Sequence, residues 1–234
     1  MNNLLNNALF GIMLSLFAFE VGCFVYKKTK IPVFNPLLIS IAIIIGVLGL
    51  FHINFETYNK GGEFINMFLG PATVILAVPL YKQIFLLKKH AFPILVGIFV
   101  GCTVGIISII LLSHVFGLNE ILIKSLAPKS VTTPIGAEIS KQMQGIIPVT
   151  VVAIIISGII GAIIGPSICK ILKIKSKIAV GISLGTASHA IGTTKALELG
   201  EIEGAMSSLS IGIAGLMTVF LAPVIYTFLT KIIG

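Results

Sequence analysis

The chain has 234 residues, 56% hydrophobic and only 10% charged, with a mean hydropathy of +1.12; a soluble domain carries about 25% charged residues. Every one of its 16 basic residues is lysine and every one of its 8 acidic residues is glutamate, for a net charge of +8 spread over short connections. This excludes an ordinary soluble enzyme and a basic nucleic-acid patch, and describes an integral membrane protein whose charge excess reports topology.

Taken in chain order, apolar windows suited to a helical crossing lie near residues 8–26, 33–51, 65–82, 91–114, 146–169, 178–199 and 205–230, with an interrupted apolar segment at 118–142. The first window has neither a basic leader nor a small-residue cleavage site, so it reads as a retained helix rather than a signal peptide. The expectation is a single all-α polytopic membrane domain, 1–234, with about seven spans plus one interrupted or re-entrant segment. Within it, 1–64 would be scaffold helices, 65–114 a first broken-helix repeat, 118–200 the second and third broken segments, and 201–234 the last span.

Three lysine clusters set the orientation: Lys27, Lys28 and Lys30; Lys82, Lys88 and Lys89; and Lys170, Lys173, Lys175 and Lys177. All three reach the cytoplasm only if one segment fails to cross, and 118–142 is the candidate because prolines and hydroxyls interrupt it. That arrangement puts the N-terminus outside and the C-terminal Lys231 in the cytoplasm. Two short crossings in the same region would give a different picture. Cys23, Cys102 and Cys169 stand singly in apolar surroundings, so packing is expected of them rather than a disulfide framework or a metal site. No phosphate loop, metal-ligand spacing or dinucleotide fingerprint is present, and no cofactor or metal is expected.

Irregular backbone at membrane depth is tolerated only where protein buries it or it lines a wet cavity. Three segments invite it: "GPATVILAVPLYKQ" from Gly70, "PKSVTTPIGAEISKQ" from Pro128 and "SHAIGTTKALELG" from Ser188. The first two share a Pro, hydroxyl, Val, second Pro and Lys-Gln order, with helix breaks expected at Pro71 and Pro79 and at Pro128 and Pro134. This is a faint internal repeat of the kind from which transporters with discontinuous helices are built; kinks that merely shape the bundle are the alternative. In the second segment Thr133 can cap a helix that Pro134 starts, directing free N–H groups and the positive dipole end into the break. In the third, Gly192 would end one half-helix and Thr193 or Thr194 cap the next.

An anion site would then draw on Lys129, Ser130, Thr132 and Thr133 from one break and on Ser188, His189, Thr193, Thr194 and Lys195 from the other. Ionisable groups inside spans are costly and are usually functional or paired. Glu138, His189 and Glu198 are candidates for a coupling proton or an ion pair, and pairing of Lys129 with Glu138 or of Lys195 with Glu198 would be a purely structural account. His189 could equally be a hydrogen-bonded structural residue. Ser188 and His189 are adjacent and no aspartate exists to orient the ring, which argues against an intramembrane hydrolase, so no enzyme is expected. Gly97, Gly101 and Gly105, with the pairs Gly161 and Gly165 and Gly181 and Gly185, allow close helix packing, within the chain or between copies of a homo-oligomer.

These segments, together with "GTASHAIGTTKALELGEIEGAMSSLSIGIAG", resemble the LrgB/CidB family of bacterial membrane proteins. The resemblance covers nearly the whole chain and is weakest before about Phe51. It implies residence in the bacterial cell membrane beside an LrgA/CidA-type holin-like protein. Its bacterial members are called antiholin-like and are tied to murein hydrolase control and lysis, while plant and some bacterial relatives are linked to movement of glycolate, glycerate or pyruvate. The family is also similar to elevator-type transporters. The expected function is secondary transport of a small monocarboxylate, with or without the holin-like partner and a coupled proton; the alternative is an antiholin-like regulator acting by contact in the membrane.

Overall fold

The computed structural model describes residues 8–29, 34, 36–68, 71, 81, 82 and 84–233, and all regular structure among them is helical. The chain divides into two compact units, Met1–Ile75 and Leu76–Gly234. Among the described residues, four helices are long and apolar enough to cross a membrane, one in the first unit and three in the second. The protein is a multi-pass helical membrane protein.

In the first unit, α1 (Ala8–Thr29) and α2 (Pro36–Leu50) are apolar on all sides, and α3 (Phe55–Asn66) is amphipathic. At 15 residues α2 is shorter than the window that forecast it. Backbones approach closely at the glycines of these helices. A Cβ on Gly61 would strike the Ala8 carbonyl, and one on Gly22 would lie 3.0 Å from Pro36 Cα. The Ser15 and Tyr58 hydroxyls, 2.9 Å apart, tie α3 to α1. The expected span 65–82 and the first broken segment fall mostly outside the described residues, Pro79 included; exposed Pro71 is described.

The second unit contains α4 (Ile84–Lys89), α5 (Ala91–Val115), α6 (Glu120–Leu126), α7 (Thr133–Gln142), α8 (Ile147–Ile171), α9 (Lys177–Leu199) and α10 (Glu201–Ile233). α5 and α10 run parallel: Ile94 and Ile98 share a core with Ala205 and Met206, while Ile106 and Ile110 share one with Ala222 and Tyr226. α8 returns in the opposite sense, so the starts of α5 and α10 and the end of α8 lie at one end of the unit. That end carries Lys88, Lys89 and the 170–177 lysines, and Lys82 lies 4.0 Å from Glu201.

Neither α6, at 7 residues, nor α7, at 10, can cross a bilayer. Ser125 in α6, Ser140 in α7 and Thr150 near the start of α8 meet at one level: Thr150 Oγ1 lies 2.8 Å from the Ser125 carbonyl and 2.7 Å from Ser140 Oγ. The turn between them reaches deeper, where Ser157 Oγ donates to the Lys129 carbonyl at 3.0 Å. Residues 120–142 thus form a re-entrant hairpin, here hairpin 1, entering from the end opposite the lysines. Its tip sits beside Ser157, about 15 Å along α8. The sequence expectation of a re-entrant segment matches this geometry, and two short crossings do not.

α9 differs from expectation. His189 has φ 42 and ψ −131 inside what would otherwise be one helix, and the chain reverses there. Gly192 packs against the Leu184 carbonyl, which a straight helix would hold about 12 Å away. On the way in, Gly181 and Gly185 pack against Glu203 and Ser207; on the way out, Thr193 meets Ser207 again and Leu197 meets Gly204. Residues 177–199 are therefore a second re-entrant hairpin, hairpin 2, entering from the lysine-rich end, and not a crossing span. Because hairpin 2 returns the chain to its own side, α10 starts at the lysine-rich end and carries Lys231 to the opposite end. Within this unit Lys231 therefore lies at the end opposite Lys88, Lys89 and the 170–177 lysines, whereas the sequence reading placed it on the same side as them.

Candidate functional site at the hairpin tips

The two tips converge on the middle of α8. From hairpin 1 come Lys129 and Ser130, both half-buried, with Lys129 Nζ donating to Ser130 Oγ at 3.2 Å. From hairpin 2 come Ser188 and His189, 1% and 3% exposed. His189 Nε2 lies 3.0 Å from the Ile154 carbonyl; a carbonyl can only accept, so this nitrogen carries the hydrogen. Ser188 Oγ is buried without a hydrogen-bond partner.

The local chemistry explains the placement. Pro128 is fully buried in the hairpin 1 turn, and Pro134 stands in the first turn of α7, where its missing N–H costs no helical bond. Hairpin 2 can approach α8 because Gly158 and Gly161 lack side chains: a Cβ on Gly158 would come within 2.6 Å of His189 Cε1, and one on Gly161 would collide with Ser188 Oγ. The tips thus bring together an ammonium, an imidazole and two hydroxyls at mid-depth, with the first turns of α7 and of the return arm of hairpin 2 nearby. A small anion is the ligand such a group suits chemically.

Other expected site residues lie elsewhere. Thr132, not Thr133, occupies the cap position of α7, and its side chain makes no capping bond; Thr133 is exposed. The break in α9 is at His189, three residues before Gly192, which is helical and serves as the contact point between the arms. Thr193 turns toward α10, with its hydroxyl 2.7 Å from Ser207 Oγ and 3.0 Å from the His189 carbonyl. Thr194 is exposed and bonds the Ala190 carbonyl. Lys195 pairs with Glu198 at 2.7 Å, the structural alternative weighed for it. Glu138 is exposed and bonded to Gln142 rather than to Lys129, so the other weighed pair does not form.

Sequence reasoning missed the contribution of α8. Ile154, Ser157, Gly158 and Gly161 hold both tips, and their only signal was the Gly161 and Gly165 spacing, read as general packing. That reading was incomplete because spacing marks closeness without naming what comes close.

A protein-family model described as LrgB-like matches residues 15–228. The chain belongs to the LrgB-like family. Among relatives in that family, the antiholin-like protein LrgB of Bacillus subtilis (strain 168) is 38% identical over 216 residues, covering 92% of this chain and 94% of that protein. The antiholin-like protein LrgB of Bacillus cereus (strain B4264) is 37% identical over 221 residues, 94% and 96% of the two chains. The uncharacterized protein YxaC of Bacillus subtilis (strain 168) is 41% identical over 218 residues, 93% and 95%. No solved structure matches this LrgB-family chain.

Proposed function

We propose that this LrgB-family protein is an antiholin-like regulator in the bacterial cell membrane, acting by contact with a holin-like membrane protein of the LrgA/CidA type. The reading rests on the antiholin-like relatives that match over nine-tenths of both chains. The preference for transport drawn from the sequence has no counterpart in their names. With the lysine-rich end of the second unit in the cytoplasm, hairpin 2 opens inward and Lys231 lies outside. The test is co-expression with and without a holin-like partner in cells lacking their own family member, following lysis and murein hydrolase activity. Lysis delayed only in the presence of the partner is expected; unchanged lysis with the chain intact in the membrane overturns the reading.

One observation favours a second reading, secondary transport of small monocarboxylates of the pyruvate, glycolate or glycerate class: two hairpins from opposite ends meet at mid-depth with Lys129 and His189 at their tips. Broken helices meeting near the midplane are how secondary transporters present a site. In this reading Lys129, Ser130, Ser188 and His189 hold the carboxylate. Uptake of radiolabelled pyruvate and glycolate into proteoliposomes tests it. Saturable uptake that is lost in Lys129→Gln and in His189→Asn is expected, and uptake unchanged in both variants removes the site.

A further inference from the structure

We infer that hairpin 2 is the movable gate of this fold, swinging open at the lysine-rich end while hairpin 1 stays seated on α8. The motion itself follows from packing, and what the gate admits rests on the transport reading above.

The unsatisfied polar atoms are distributed unevenly. Among the described residues, the buried side-chain polar atoms without a hydrogen-bond partner are Thr103 Oγ1, Thr186 Oγ1, Ser188 Oγ and Glu203 Oε2. Thr186 and Ser188 belong to hairpin 2, and Glu203 lies on α10 where hairpin 2 covers it, its backbone touching Gly181 and its carboxylate Gly200. Their residues are 6%, 1% and 8% exposed. Hairpin 1 contributes none. A buried polar atom without a partner is destabilising, and water entering along an opened seam supplies partners. Closure of hairpin 2 is therefore opposed at three of its own contacts.

The inward arm lies against α10 through its own Gly181 and Gly185, and the tip rests on Gly158 and Gly161 of α8. Two hydrogen bonds cross this seam, His189 to the Ile154 carbonyl and Thr193 to Ser207, and both break when it opens. The tip itself is strained, since His189 is a non-glycine residue at φ 42. Both ends of the hairpin emerge at the lysine-rich end, which fixes the direction of opening.

Hydrogen–deuterium exchange on the full chain in lipid nanodiscs tests the inference without substitution. Amides in 184–199 are expected to exchange about ten-fold faster than those in 120–142; equal or slower exchange overturns the proposal. A second arm replaces Cys23, Cys102 and Cys169 with serine and adds Thr193→Cys with Ser207→Cys, positions on hairpin 2 and α10 whose side-chain oxygens lie 2.7 Å apart. The disulfide is expected to abolish the excess exchange of hairpin 2, with restoration on reduction; excess exchange that survives the bond overturns the gate. Pyruvate uptake measured alongside separates the two readings. If the unlocked protein takes up no pyruvate, transport fails while exchange still decides the gate. If uptake persists unchanged in the locked protein, hairpin 2 does not gate it.

Discussion

Where hairpin 1 meets α8, the Thr150 hydroxyl sits between the Ser125 carbonyl and Ser140, the Ile146 N–H donates to Ser125 Oγ at 2.7 Å, and Ser157 holds the tip. Where hairpin 2 meets the same helix, it finds bare backbone at Gly158 and Gly161, one histidine hydrogen bond to Ile154, and a serine hydroxyl with no partner. Both hairpins reverse at mid-depth, yet hairpin 1 is tied at α8 by four directional bonds and hairpin 2 by one. A denser set of directional bonds fixes a position more firmly, so two elements with the same outline can have different mechanical roles.

The largest effect expected from breaking this comparison comes from Gly161→Val, which fills the place of Ser188 Oγ. Overpacking of this kind costs about 2–3 kcal/mol, read as a lower thermal midpoint in detergent, with faster exchange confined to hairpin 2. Next is Thr150→Val, which strips the shared hydroxyl from hairpin 1 and leaves buried acceptors unpaired, at about 1–3 kcal/mol. Its exchange signature should fall in 120–142, and a change confined to hairpin 2 would break the comparison. Ser188→Ala should change the midpoint by less than about 1 kcal/mol, in the stabilising direction, because the hydroxyl it removes has no partner. A loss as large as that of Thr150→Val would mean that the serine is bonded after all.

The smallest effect is expected at the mouth of hairpin 1. Lys124 lies 2.6 Å from Glu120 and stacks 5.4 Å from the Tyr226 ring centroid. Its ammonium holds the exposed Glu120 carboxyl below the usual carboxylate range. A depressed folded value stabilises above the unfolded value and is lost as pH falls through the folded one. Glu120→Gln should therefore barely shift the midpoint at neutral pH, less still in high salt, and should flatten the residual acid dependence.

The sequence reveals hairpin 1 and conceals hairpin 2 for one physical reason. Pro128 and Pro134 interrupt hairpin 1 with residues that cannot continue a helix, so the break is written in composition. Hairpin 2 reverses at His189, a residue with no special backbone preference, inside a window whose apolar content matches a crossing. The reversal is imposed by contacts with α8, 35 residues earlier at His189, and with α10, 14 residues later at Thr193. Gly181, Gly185 and Gly192 were visible, but only the fold shows that they let one arm lie against α10 and against its own return. Lys129 and His189 stood out as costly ionisable groups at breaks, whereas Gly158 and Gly161 carry no chemistry to be noticed.

The depth of the tips has an electrical consequence. A monovalent ion held beside Lys129 has crossed about half of the hydrocarbon, and so about half of the transmembrane voltage, close to 1.2 kcal/mol per 100 mV. Occupancy of such a position is a voltmeter: it rises or falls with the membrane potential according to which face supplies the ion, even with every contact unchanged.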